Sequence, residues 1–331
     1  MFDTDEGLPQ LYAHLLEHDN AHLEGMAVDA ERAGQGIKTG ITLHSKSPDG
    51  QFTPFDLWIP KYAISLICAR TGGGKSTWMI NLANRMAMGG STGMFITLEE
   101  PGFAIRGKMM ASYSRMMNEN YSMEAMTSWD AIKMIRDRKT KDTPITAEFD
   151  KRIMRQVRIV DANKTVDSSK YIAPTILYDP QFIGDLINHR NSIADKPLDW
   201  VIIDFGQLMQ SQDGDNNNSA QRVRSVMQAC KNIAGQLGIA VIIGAQLRRE
   251  VSLQSIWEWE PEQIRDGSDM EQAATLILAA GDDKTYPDLN CQNVLRVLKN
   301  RNGPKRVSAM FPIEYEKCYI TNKGRQPVDD A

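Results

Sequence analysis

Cysteine is scarce in this chain and never closely paired. Cys68, Cys230, Cys291 and Cys318 lie far apart with no Cys-x-x-Cys spacing, so neither a zinc ribbon nor a disulfide framework is suggested. A reduced, intracellular setting is expected. No apolar run is long enough to span a bilayer, and the opening Met-Phe-Asp-Thr-Asp-Glu is acidic where a signal peptide would be basic. The expected location is the cytoplasm, away from any membrane. Positive charge is not in excess either: the net charge is -4, which excludes a surface coated with basic residues and requires any nucleic-acid contact to be local. What the chain does have is length and apolar content, 331 residues of which 42% are hydrophobic. That is enough for one large domain or two with a sizeable core.

The most informative stretch is residues 63 to 77, Ala-Ile-Ser-Leu-Ile-Cys-Ala-Arg-Thr-Gly-Gly-Gly-Lys-Ser-Thr. An apolar run stops at a glycine-rich turn and a Lys-Ser-Thr, the strand–loop–helix of a phosphate-binding loop. Gly72, Gly73 and Gly74 remove side chains where backbone N–H groups must close around a phosphate. Lys75 then reaches the β- and γ-phosphates of ATP and Ser76 puts its hydroxyl on Mg²⁺. The helix from Thr77 to about Met88 presents its positive end to the nucleotide. Ala69, Arg70 and Thr71 complete the loop, with Ala69 standing where the strict pattern has glycine.

Residues 9 to 33 carry leucines at helical spacing and read as a docking helix. His14, His18 and His22 fall on one face of it, but no carboxylate or cysteine completes a metal set, so a docking or solvated face is the simpler reading. Residues 34 to 58, rich in Gly, Ser, Pro and Lys, read as a linker. A strand at 93 to 98 ends in Glu99 and Glu100, and a carboxylate at the C-terminal end of such a strand can act as general base on the water that attacks a γ-phosphate. The stretch from 103 to about 140 is helical and methionine-rich, which is the mark of packing. A short strand at 155 to 161 and a helix at 180 to 194 follow. Asp199-Trp-Val-Ile-Ile-Asp204 is an apolar strand ending in an aspartate, which paired with the loop at 69 to 77 reads as the Mg²⁺ carboxylate. Residues 211 to 219 read as a mobile loop, followed by a helix with Val223, Val226, Met227, Cys230, Ile233 and Leu237 on one face. A strand from Ile239 to Ala245 ends at Gln246, and further strands lie at 274 to 280 and 294 to 298. Apolar strands alternating with helices predict a mostly parallel sheet with helices on both faces.

Taken in order, Ala69-Arg-Thr-Gly-Gly-Gly-Lys-Ser, Leu98-Glu99, Ile203-Asp204-Phe-Gly-Gln-Leu-Met209, Gln246-Leu-Arg-Arg, Ile264-Arg-Asp-Gly-Ser-Asp-Met-Glu-Gln272 and Lys299-Asn-Arg-Asn-Gly-Pro304 resemble the motor domain of DnaB-family replicative helicases. The resemblance covers roughly residues 35 to 320. It implies a RecA-like P-loop NTPase fold in a ring of six around single-stranded DNA. It further implies Glu99 as catalytic base, Asp204 as the Mg²⁺ partner, Gln246 as the sensor of the γ-phosphate, and Lys299 and Arg301 as a pair donated to the neighbouring subunit's ATP. Positions two apart on a strand project to one side, which suits that pair independently, and an arginine so placed neutralises charge in phosphoryl transfer. For DNA the resemblance implies Arg265, Asp266, Gly267 and Ser268, with Arg248 and Arg249 as additional candidates.

Departures from the family's pattern are also visible. Trp257-Glu-Trp-Glu260 stands where a basic stretch is usual, and Ala273 and Thr275 replace an acidic pattern. The expected organisation is a docking helix over 1–34, a motor over 35–325 and a short tail over 326–331. Such a minimal motor suggests a virus- or plasmid-borne protein with primase and loader acting in trans. Two other readings share the fold, a RecA-like recombinase or mediator and a ring that binds replication proteins without unwinding. The Lys-x-Arg-Asn-Gly-Pro segment opposes the first, and the full set of catalytic positions opposes the second.

Overall fold

The computed structural model describes residues 36–46, 51–118, 125–139, 143–162, 179–204, 208–209, 219–248, 255–265, 268–282, 292–305, 307–322 and 324–325. Packing divides the chain between Gly36 and Ile37, and the described residues from Ile37 onward belong to the second unit. The docking helix with its three histidines, the tail and the loop at 211–218 lie outside the described residues.

The sheet is built around β3 (Ala63–Ala69), with β7 (Ala240–Gln246) and β8 (Leu276–Asp282) parallel to it on either side. Beyond β7 follow β6 (Trp200–Asp204), β4 (Gly93–Thr97) and the edge strand β5 (Val157–Asp161), all parallel. These strands are apolar on both faces because both are covered. Ile64, Leu66 and Cys68 of β3 enter one core while Ile67 and Ala69 enter the other. The first of these cores holds α5 (Pro180–Ser192), α6 (Ser219–Leu237) and α7 (Ser268–Ala273). The second holds α1 (Lys75–Met88), α2 (Gly102–Asn118), α3 (Ser128–Arg136) and α4 (Pro144–Phe149). The methionine-rich stretch is packing as expected, with Met109, Met110 and Met116 buried.

On the far side of β8 the sheet continues antiparallel through β9 (Gln292–Asn300) and β10 (Ser308–Glu314), which also pairs with the short β11 (Tyr319–Ile320). It ends in a hairpin of β1 (Ile37–Lys46) and β2 (Phe52–Ile59). The linker expected over 34 to 58 is therefore a correction: most of it is this hairpin. Its alternation is genuine, with Ile37, Thr39, Ile41 and Leu43 buried while Lys38 and Gly40 face out. Polar and glycine residues at the outward positions and in the sequence between the two strands give the stretch a linker's composition, which masked that period of two.

At the N-terminal edge of the parallel strands Asp199 joins three segments. Its carboxylate accepts from Lys61 Nζ at 2.7 Å and from the Thr92 N–H at 2.9 Å, while its backbone N–H donates to Thr92 O at 2.8 Å. Burial acts to raise this carboxyl, but the Lys61 hydrogen bond, the Thr92 N–H and the charges of Lys61 and Lys196 outweigh it and hold Asp199 below its ordinary value. A group ionised more readily in the folded than in the unfolded chain stabilises the fold above the unfolded pKa, about 3.9 for Asp, and loses that contribution as pH falls through the folded value. Asp199→Asn is expected to cost about 1–2 kcal/mol at pH 7. In denaturant titrations at a series of pH values, the gap to wild type should narrow below about pH 4.

Candidate functional site

The site lies at the C-terminal edge of the parallel strands. Register sets it: Ala69 of β3 stands opposite Gln246 of β7, and Thr97 of β4 opposite Asp204 of β6. Each strand end therefore delivers its residue to the same rim, the place where open α/β sheets bind ligands.

Between Ala69 and α1 the chain makes a tight loop closed by a hydrogen bond from the Gly73 N–H to Arg70 O at 2.9 Å. Gly72 and Gly74 have φ of +77° and +88°, a region that costs other L-residues about 1–2 kcal/mol. Gly74 caps α1, and its first turn contains no acidic residue. The N–H groups and dipole that open the helix are thus available to an anion.

Lys75, the first residue of α1, donates through Nζ to Asp204 Oδ1, and Ser76 Oγ donates to Asp204 Oδ2 at 2.8 Å. Asp204 is only 2% exposed, so its charge is held by the Lys75 ammonium and the hydroxyl together. A hydroxyl and a carboxylate side by side, with no sulfur or imidazole, form a donor set that suits a hard cation such as Mg²⁺. Cys68 lies just below the loop, where burial pushes its thiol up to about 12 against the pull of Lys75. It remains a neutral core residue.

Leu98 N–H donates to Asp204 O at 2.7 Å, which ties the turn carrying Glu99 and Glu100 to the end of β6. The two glutamates have separate surroundings. Glu100 is clamped, its carboxylate accepting from Lys108 Nζ at 2.7 and 2.5 Å and its backbone bonded to Thr97 Oγ1. Glu99 is exposed and has no such clamp among the described residues. Gln246 Nε2 reaches Thr71 Oγ1 at 3.3 Å. Just beyond it, Arg248 N–H donates to Gln263 O and Arg265 N–H to Gln246 O, each at 2.9 Å. Arg248 and Arg265 thus sit on paired segments beside Gln246, both exposed, as is Ser268. Arg249, Asp266 and Gly267 lie outside the described residues.

Lys299 and Arg301 are elsewhere. β9 runs antiparallel to β8, so its C-terminal end returns to the opposite rim, with Lys299 beside Ile277 and the Arg301 N–H on Thr275 O at 3.0 Å. The Thr275 N–H in turn donates to Ile64 O, near the start of β3. Five residues of strand separate that point from the phosphate loop, roughly 17 Å. Both side chains cap the C-terminal end of α7, Lys299 donating to Glu271 O and Arg301 to Gln272 O, each at 2.6 Å. Burial and the neighbouring charge of Arg301 lower the Lys299 pKa, against the pull of Glu271.

Several residues beside the loop carried no sequence signal. Asn293, second residue of β9, donates to Gly73 O, and Asp282 accepts from it and from Tyr315. Trp259, one of the departures already visible in the sequence, is fully buried under the Arg70 guanidinium, 5.4 Å from ring centroid to cation. Arg296 fastens the same segment by donating to Ile256 O at 3.0 Å, Trp259 O at 3.3 Å and Trp257 O.

Comparison with known proteins matches residues 58–319 to the family model described as DnaB-like helicase C terminal domain. The replicative DNA helicase DnaB of Haemophilus influenzae is 24% identical over 333 residues, covering 99% of this chain and 64% of that protein. The replicative DNA helicase DnaC of Bacillus subtilis is 31% identical over 138 residues, 40% of this chain and 30% of that protein. This chain spans about three fifths of the length of curated DnaB relatives that it matches. Among solved structures, the ATPase domain of G40P has a TM-score of 0.60 at 17% identity, covering 79% of this chain and 85% of that one. A DnaB-like replicative helicase, whose structure was described with its interactions with primase, has the same TM-score and identity over 79% of this chain and 57% of that one.

Gly244 of β7 lies against the Lys75 side chain: a Cβ there would stand 3.2 Å from Lys75 Nζ and 3.0 Å from Met79 Cε. Both are flexible side-chain ends, so Gly244→Ala is expected to cost about 1 kcal/mol of stability or less. Nucleoside triphosphate affinity should fall about tenfold as Lys75 is displaced. Fluorescent-nucleotide titration alongside thermal melting checks this, and unchanged affinity would show that Gly244 does not place the lysine.

Proposed function

The chain belongs to the family of DnaB-like helicase C-terminal domains, and from that premise we propose that it is an ATP-driven replicative helicase motor. It works as a ring of six copies that translocates on single-stranded DNA and opens duplex by hydrolysing ATP between subunits. The observation that carries this reading is the division of the chemistry between two rims of one sheet. Lys75, Ser76, Asp204, Gln246 and the turn of Glu99 share the C-terminal rim, while Lys299 and Arg301 sit at the other. One chain by itself does not complete the site, and a neighbour that presents its opposite rim does.

In this reading the loop N–H groups and Lys75 hold the β- and γ-phosphates, and Ser76 and Asp204 hold Mg²⁺. The cation, when bound, neutralises charge on the phosphate oxygens. Lys75, now engaged by Asp204, exchanges that partner for the nucleotide. Glu99 accepts a proton from the attacking water; its exposure and lack of a clamp support it over Glu100, whose charge is committed to Lys108. Arg301 and Lys299 of the neighbouring copy neutralise the charge developing in transfer.

Gln246 senses whether the γ-phosphate is present. Its backbone bond to Arg265 supports a direct route from that event to Arg248, Arg265 and the 266–268 segment, which grip DNA phosphates together with Arg249. A few such contacts need no basic protein overall. No helix among the described residues is long and apolar enough to cross a membrane, which agrees with work in the cytoplasm. Primase and loader act in trans, and a virus or plasmid is the proposed source.

The test is unwinding of a forked duplex by the purified protein with ATP, with Lys75→Ala as the inactive control. Unwinding absent from that control is the expected result. Hydrolysis on single-stranded DNA with no fork opening would point first to a partner required in trans and would strengthen the recombinase reading. Arg301→Ala is expected to bind ATP normally while DNA-stimulated hydrolysis falls on the order of a thousandfold. Wild-type hydrolysis in that variant would remove the neighbour-donated role.

A further inference from the structure

We infer that Asn293 is a positioning residue for the nucleotide, a buried amide that sets the orientation of one phosphate-loop peptide from behind. The inference rests on the reading of residues 69–77 as the ATP-binding loop. Asn293 is fully buried and stands opposite Asp282 where β8 ends. Trp78 of α1 donates its indole Nε1–H to Asn293 Oδ1 at 2.7 Å. An indole can only donate, so this bond settles which way the amide faces. Its NH₂ group is therefore turned to two acceptors, Gly73 O at 3.3 Å and Asp282 Oδ1 at 3.0 Å. Both amide hydrogens are thereby used.

The consequence follows from peptide geometry. The Gly73 carbonyl and the Gly74 N–H belong to one planar trans unit and point in opposite directions. With the carbonyl held by Asn293, the Gly74 N–H is aimed to the other side, into the cradle the loop makes for phosphate. Glycine's freedom makes such a restraint necessary, because Gly73 and Gly74 could otherwise flip the peptide between them at little cost. Asn293 also packs against Gly74, whose missing Cβ would stand 3.4 Å from its Nδ2. The same Asp282 Oδ1 also accepts from the Tyr315 hydroxyl at 2.9 Å, so the restraint is anchored in β8 and in the residue that follows β10.

Two variants separate this role from a merely structural one. Asn293→Asp keeps the shape and still accepts from Trp78; ionised it donates to neither Gly73 nor Asp282, and protonated, as the neighbouring Asp282 carboxylate favours, its single hydrogen goes to that charged acceptor and not to Gly73. Combining it with Asp282→Asn restores a donor–acceptor pair between 282 and 293 while leaving the Gly73 carbonyl without its partner. The expected result is a KM for ATP raised about tenfold in both, the worth of one hydrogen bond, with kcat little changed. Thermal stability should drop in the single variant and recover in the double. If KM returns to wild type together with stability in the double variant, or if neither variant changes KM, the inference is overturned. If the single variant does not fold, the double alone decides by the same comparison. The underlying reading is tested apart from this, by ATP binding to the wild type and its loss in Lys75→Ala; failure there would remove the nucleotide site itself.

Discussion

The contact on which the rest depends is the one between Asp204 and the opening of α1. A carboxylate at 2% exposure is costly unless its charge is met, and breaking such a pair costs several kcal/mol because the remaining charge is left buried. Lys75 and Ser76 meet it, and in doing so they fasten the phosphate loop to β6. The same residue accepts the Leu98 N–H through its backbone, so the turn of Glu99 is located by it as well. The loop, the carboxylate proposed for the metal and the turn of the proposed base are thus placed by one aspartate at one strand end.

The sheet then acts as a ruler with two ends. Parallel strands in register bring residues 69, 97, 204 and 246 to one rim. The antiparallel return of β9 does the opposite: it begins beside the phosphate loop at Asn293 and ends at Lys299 on the far rim. A single strand therefore joins a chain's own phosphate loop to the pair it is proposed to present to a neighbour. Its far end is bonded to α7, the helix that follows the proposed DNA-gripping segment.

Much of this was legible in local sequence, and the exceptions share a cause. The loop at 69–77, the strand ending in Asp204 and the strand ending in Gln246 are short-range patterns, an apolar run followed by a residue type that its end demands. The hairpin over 37–59 was hidden because its outward positions carry the residues of a linker, and only its burial pattern reveals the alternation. The resemblance already implied Glu99, but the clamp that sets Glu100 apart was equally hidden, since it comes from Lys108, a residue on the following helix. The tryptophans at 257 and 259 read as a loss of basic character. In the fold Trp259 is instead a buried platform for Arg70, with Arg296 fastening the segment around it.

By itself the sequence determined the chemistry of the phosphate loop, the order of the strands' functional ends and the segments that mark the family, because each is written in residues adjacent along the chain. Only the tertiary structure decided which side chains hold that chemistry in place. Asn293 behind Gly73, Asp282 beneath Tyr315 and Lys108 on Glu100 are selected by register and packing across the sheet. Lys299 and Arg301 are set at the far rim by the direction of one strand relative to its neighbour. Such pairings depend on which backbones lie side by side, and spacing along a single strand of sequence does not carry that information.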